Sequence, residues 1–138
     1  MSNRTFTIIK PDSVRKGNFG KILSRLEGEG FRVLGIKKIA LAQRQAEAFY
    51  GVHRERPFFG SLVEYMTSGP VYVAALERDN AVAELRKLMG ATDPTKADAG
   101  TIRKEFGESI EQNAIHGSDS DENAKIEISF FFAESELV

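Results

Sequence analysis

Thr5-Phe6-Thr7-Ile8-Ile9-Lys10-Pro11-Asp12 is a β-branched and aromatic run closed by a Pro-Asp breaker. It predicts a strand over 5–9 with Lys10 at its exit. Moving towards the C-terminus, Phe19, Ile22, Leu23 and Leu26 recur at i, i+3, i+4 and i+7, one helix face, closed by Gly28 and Gly30. Residues 31–41 read as a second strand whose alternation slips near Gly35, the signature of a bulge. Two shorter helical patterns follow, Ala46/Phe49/Tyr50 and Phe59/Leu62/Val63/Met66. Ser68-Gly69-Pro70 stops the second, and residues 71–76 form an apolar run suited to a buried strand.

Asp79 is the expected N-cap of a helix carrying Val82, Leu85, Leu88 and Met89, with Gly90 just past its end. From Gly90 to Asn113 the chain is dense in Gly, Thr, Asp and Ala and reads as one long loop, a feature usually tied to function. Ala114-Ile115-His116 reads as a last short strand. Gly117-Ser118-Asp119-Ser120 then offers N-caps for a helix with Ala124, Ile128, Phe131 and Phe132 on one face. The order is strand, helix, strand, helical pair, strand, helix, loop, strand, helix. It predicts an α+β sheet with helices on one face, the ferredoxin-like split β-α-β architecture. No repeat, linker or low-complexity tract divides residues 1–138, so a single domain is expected.

Composition narrows the function. With 19 basic and 20 acidic residues the net charge is −1, which removes the electrostatic case for general nucleic-acid binding. The absence of cysteine excludes disulfides, thiolate zinc sites and a cysteine nucleophile. No apolar run nears the ~20 residues of a membrane span, and Met1-Ser2-Asn3-Arg4-Thr5-Phe6 lacks a signal peptide's apolar core. The expected compartment is therefore the cytoplasm, with no membrane partner.

The phosphate-loop patterns fail on inspection. Gly17-Asn18-Phe19-Gly20-Lys21 has the wrong spacing, and Ile22 stands where Ser or Thr is required. Gly28-Glu29-Gly30 lacks a third glycine and precedes a strand. No Asp/His group has metal-cage spacing, so a metal would arrive with its ligand. Only two histidines exist, His53 and His116. By itself His116 fits two readings, a hydrogen-bonded turn histidine or a nucleophile. A neutral imidazole attacks phosphorus near pH 7 if one ring nitrogen is free and an acceptor holds the other. Glu127 on the following helix is the candidate acceptor.

Asn113-Ala114-Ile115-His116-Gly117-Ser118-Asp119-Ser120 resembles the active-site signature of nucleoside diphosphate kinases. Further segments match in order. They are Thr7-Ile8-Ile9-Lys10-Pro11-Asp12, Arg56-Pro57-Phe58-Phe59, Met66-Thr67-Ser68-Gly69-Pro70, Met89-Gly90-Ala91-Thr92-Asp93-Pro94 and Gly100-Thr101-Ile102-Arg103. The resemblance spans nearly the whole chain and implies a four-stranded antiparallel sheet covered by helices.

It also implies roles, each beside a plainer alternative: for Glu127 a helix-surface carboxylate, for Thr92 turn geometry, for Phe58 the core alongside Phe59, and for Asn113 a loop amide capping its own backbone. His116 resembles the phosphorylated nucleophile, Glu127 the residue orienting its ring, and Ser118 a nearby hydroxyl, which helix capping would equally explain. Lys10, Arg86 and Arg103 resemble the cations that neutralise the transferring phosphates; singly, each also reads as a solvated surface charge. Thr92 resembles a further phosphate contact, while Tyr50 and His53 resemble residues at the phosphate end; core packing also accounts for Tyr50. Phe58 resembles the ring on which the base stacks, with Leu62 and Ile110 as apolar neighbours, an arrangement tolerant of any base. Asn113 resembles the residue bonding the ribose 3′-hydroxyl.

By this resemblance the chain exchanges γ-phosphate between nucleoside tri- and diphosphates, mainly from ATP, with Mg²⁺ carried on the phosphates. The short C-terminus resembles bacterial members. A homo-oligomer built from dimers is expected, a tetramer before a hexamer or a dimer alone. Two rivals remain at this level: a non-catalytic nucleotide-binding regulator, and a split β-α-β nucleic-acid binder, which would need a basic face.

Overall fold

A computed structural model describes residues 3–138. Four strands form one antiparallel sheet: β1 (Arg4–Ile9), β2 (Arg32–Ile39), β3 (Val71–Glu77) and β4 (Ile115–Gly117), in the spatial order β2-β3-β1-β4. The strand returning from the first helical crossover is separated from β1 by β3, which is the expected ferredoxin-like split β-α-β topology. Among the described residues seven α-helices connect or flank the strands: α1 (Pro11–Arg15), α2 (Phe19–Gly28), α3 (Gln43–Phe49), α4 (Phe59–Met66), α5 (Ala81–Met89), α6 (Ile102–Phe106) and α7 (Asp121–Phe131). None of them is long and apolar enough to cross a membrane.

Helices cover both faces of the sheet, a correction to the one-faced expectation. Ile9, Ala74 and Leu76 meet α2, α5 and α6 through Ile22, Leu26, Leu85, Met89 and Ile102. Phe6, Ile8, Val71, Val73 and Ala75 face the other way, onto Tyr65 and Met66 of α4 and Ile128 of α7. Successive strand residues point to opposite faces, so the nearly unbroken apolar run of β3 needs a cover on each side.

The predicted irregularity in the second strand is present: the β2–β3 register shifts between Val33 and Gly35. Space explains the glycine, since a Cβ there would lie 3.1 Å from the Phe132 ring and 3.2 Å from the Glu136 carbonyl.

Three local expectations are corrected. Pro11 does not merely end β1; it opens α1 from the N1 position, where its missing N–H costs nothing. Asn80, in a left-handed conformation at φ 54°, takes the N-cap of α5 in place of Asp79. The 90–113 stretch is not all loop, because Thr101 accepts from the Lys104 N–H and starts α6.

Candidate active site

The ladder between β1 and β4 is only three pairs long, Thr7↔Gly117, Ile8↔His116 and Ile9↔Ile115. It brings the exit of β1, with Lys10, beside the histidine. Past β4 the chain turns into α7, whose N-cap Ser120 accepts from the Asn123 N–H at 3.0 Å. That turn swings Glu127 back over His116. The Nε2 of His116 lies 2.8 Å from Glu127 Oε1, and the Ser118 hydroxyl donates to the same oxygen at 2.7 Å. Ser118 therefore serves the carboxylate, while Ser120 caps the helix.

A carboxylate only accepts, so this contact assigns the proton to Nε2 and leaves the Nδ1 lone pair free. Among the described residues Nδ1 has no hydrogen-bond partner. Phe6 and Phe49, themselves in contact, pack against the ring, their centroids 6.1 and 5.6 Å from that of the imidazole, both edge-on.

His116 lines a cavity of about 620 Å³. Glu127, Lys10, Tyr50, His53, Phe58, Leu62, Arg86, Thr92, Arg103, Ile110 and Asn113 line it too. Of the residues singled out from the sequence only Ser118 does not, being fully buried behind Glu127. Asp119 and Glu111 also reach this cavity and were not singled out. The first lay inside the signature octapeptide, where it could have been found, and the second carried no sequence signal.

One end of the cavity is cationic. Lys10, buried to 8% exposure, donates to Asn113 Oδ1 at 2.8 Å, and Asn113 Nδ2 donates to the Thr92 carbonyl at 3.1 Å. Arg103 is clamped by the carbonyls of Ile115 at 2.8 Å and Gly90 at 3.2 Å, yet its Nε is buried without a partner among the described residues. Arg86 of α5 reaches towards the Gly117 carbonyl at 3.5 Å. Two glycines let α5 and the cap of α6 pack this closely. A Cβ on Gly117 would sit 2.5 Å from Met89 Sδ, and one on Gly90 would sit 2.5 Å from Thr101 Oγ1.

Among the described residues none of these three cations forms an ion pair. Burial, then the neighbouring Arg103, pushes Lys10 down to about 8 from the ordinary 10.5. Burial, then Arg86, pushes Arg103 down to about 10. Asp12 and Glu111 offset part of the charge on Lys10, but positive charge held this close without an ion pair favours a bound anion.

The other end is apolar and open. Phe58 is 45% exposed and Ile110 60%, with Leu62 beside them and the His53 ring 5.4 Å from that of Phe58. Tyr50 is nearly buried between the ends; its hydroxyl lacks a partner among the described residues, and burial followed by the nearby Glu127 pushes its phenol up. An apolar slot leading to a polycationic end beside an unprotonated imidazole nitrogen suits an aromatic base joined to phosphates.

Comparison with known proteins agrees with this geometry. The family model described as nucleoside diphosphate kinase matches residues 3–137. The nucleoside diphosphate kinase of Granulibacter bethesdensis is 63% identical over 135 residues, covering 98% of this chain and 96% of the relative. That of Campylobacter jejuni is 60% identical, with 97% of this chain and 98% of the relative covered. Among solved structures, the Aquifex aeolicus nucleoside diphosphate kinase superposes with a TM-score of 0.97 at 45% identity, both chains fully covered. The Halobacterium salinarum enzyme, solved in complex with CDP, superposes at 0.95 and 41% identity, covering all of this chain and 92% of the other.

Proposed function

This chain belongs to the nucleoside diphosphate kinase family and is a phosphotransferase acting on nucleoside tri- and diphosphates, and we propose that the transfer runs in two halves through His116. In the first, the Nδ1 lone pair attacks the γ-phosphorus of a nucleoside triphosphate, chiefly ATP. The N–P bond forms as the bond from phosphorus to the β,γ-bridging oxygen breaks, and the electron pair leaves with the diphosphate. The positive charge left on the ring is held by the Nε2–H bond to Glu127, which Ser118 keeps in place. In the second half a different diphosphate enters the same cavity and its terminal oxygen takes the phosphoryl group back, freeing the imidazole.

Lys10, Arg86 and Arg103 neutralise charge on the phosphates and on the group in flight, the main electrostatic contribution in phosphoryl transfer. Thr92 serves the phosphate end and Tyr50 the passage towards it, whereas His53, resembling a phosphate-end residue in sequence, has its ring 5.4 Å from that of Phe58 and belongs to the base end. Asn113 bonds the ribose 3′-hydroxyl, and Phe58 stacks on the base with Leu62 and Ile110 beside it. Mg²⁺ fits as a passenger of the nucleotide. The donor set around the phosphate end is cationic, and no group of three or more acidic or histidine side chains among the described residues could cage a metal. Carried in on the nucleotide, the ion would screen phosphate charge and act as a Lewis acid alongside Lys10, Arg86 and Arg103.

The observation that carries this reading is a histidine nitrogen without a hydrogen-bond partner and three cations without an ion pair, among the described residues, in one cavity. Replacing His116→Ala abolishes exchange between ATP and GDP on this account; a variant that kept most of its exchange activity would overturn it. The working form proposed is a homo-oligomer built from dimers, a tetramer before a hexamer or a lone dimer, acting in the cytoplasm. The edge strand β2, with Ile36 39% exposed, supports a paired form, and sedimentation of the purified chain decides it.

A further inference from the structure

Asp12 is a carboxylate with no exposed surface and no ion pair among the described residues. Its Oδ1 accepts from the Tyr65 hydroxyl, while its own backbone N–H donates to that phenol oxygen at 3.0 Å. Its Oδ2 accepts from the Ala114 N–H at 3.1 Å. Ala114 is unusual in turn. It sits at φ 77°, and the Ile115 N–H closes on the Asn113 carbonyl at 2.9 Å. That is a three-residue γ-turn of the rare, strained hand. A non-glycine residue stays there only if its surroundings hold it.

The holding comes from the exit of β1. The Ala114 N–H goes to the Asp12 carboxylate, and its carbonyl accepts from the Lys10 N–H at 2.9 Å. The turn carries Asn113 on one side, bonded to Lys10 Nζ, and leads through Ile115 into His116 on the other. Tyr65 projects from α4, the helix that also bears Leu62 of the apolar slot. One buried carboxylate thus ties together the segments that carry Lys10, Asn113, His116 and the base wall.

We infer that Asp12, braced by Tyr65, is a positioning residue for the transfer, acting through the Asn113–Ala114–Ile115 turn to set the ribose and phosphate contacts against His116. The inference rests on the assignment of those groups above. Asp12→Asn removes the charge and one of two acceptor oxygens; Tyr65→Phe removes the brace but keeps the carboxylate and its bond to Ala114. Each variant is incubated with γ-labelled ATP to count phosphorylated sites, and exchange is then measured per labelled site.

Both variants still label, and the KM for ATP stays within about threefold. The rate per labelled site falls on the order of 10–100-fold, more in Asp12→Asn, because small misplacement of reacting groups is costly. Combining the two changes adds less than the product of their separate effects, since they act on one chain of contacts. Ala114→Gly placed on Asp12→Asn recovers part of the rate, because glycine adopts φ 77° without strain.

A parental rate per site with only a lowered melting temperature, or no recovery from Ala114→Gly, overturns the inference. Should Asp12→Asn fail to fold, Tyr65→Phe carries the test alone. A parent chain that never labels removes the nucleophile assignment, and with it the function this carboxylate would serve.

Discussion

His116 and Ser118 converge on one oxygen of Glu127, at 2.8 and 2.7 Å. The carboxylate thereby fixes which ring nitrogen carries the proton, and the serine fixes the carboxylate. Glu127→Gln can turn its amide NH₂ towards the ring and favour the wrong tautomer. Its phosphorylation rate is expected to fall roughly 10–100-fold, with Ser118→Ala nearer the lower end. Rapid-quench labelling of the histidine reads both directly.

Lys10 predicts a pH dependence. Its amine sits near 8 in the free protein against 10.5 in an exposed chain. Between those values the unfolded chain binds more protons than the folded one, so stability rises with pH across that window; below about pH 8 the burial penalty is present in full. Bound phosphates oppose the penalty and pull the pKa back up. Nucleotide affinity therefore falls as pH rises past about 8, and binding takes up a proton there. Calorimetry with ADP in two buffers of different ionisation enthalpy measures that uptake, which Lys10→Met abolishes.

Phe58 makes a claim about selectivity. On the proposed stacking role, removing its ring with Phe58→Ala is expected to cost about 1–3 kcal/mol per base, seen as weaker binding of ADP, GDP and CDP alike. Equilibrium titration with the three diphosphates checks it. A loss confined to purines would mean that the slot reads more than a π-face.

Gly90 predicts a stability effect that reaches the site. Gly90→Ala forces an L side chain to φ 86° and drives its methyl into Thr101, the cap of α6. Backbone strain of this kind costs about 1–3 kcal/mol, and thermal melting reports it. Arg103, held by the Gly90 carbonyl, shifts with it, so nucleotide affinity drops as well.

What the sequence disclosed follows from how far each signal reaches along the chain. α2 and α5 were legible because Ile22, Leu26, Leu85 and Met89 repeat over more than two turns. The bulge at Gly35 was legible because strand alternation has no slack. The five-residue helices α1 and α6 were not, since a turn and a half carries almost no period. The second helical layer was legible in principle, as Val71, Val73, Ala74, Ala75 and Leu76 leave β3 no polar face.

The candidate site was largely visible through its resemblance, because its residues lie in short contiguous segments. Asp12 was read only as a breaker. Its partners Tyr65 and Ala114 lie 53 and 102 residues away, and nothing local in the sequence joins them.

The central claim is that phosphate passes through His116, and trapping the intermediate tests it most directly. Protein incubated with γ-labelled ATP and Mg²⁺ is quenched in alkali, mapped by peptide, and a parallel sample is chased with unlabelled GDP. Label on the His116 peptide that survives base, is lost in acid and passes into GTP is the predicted result. A protein that binds ATP yet never takes up label, or carries it on another residue, contradicts the account.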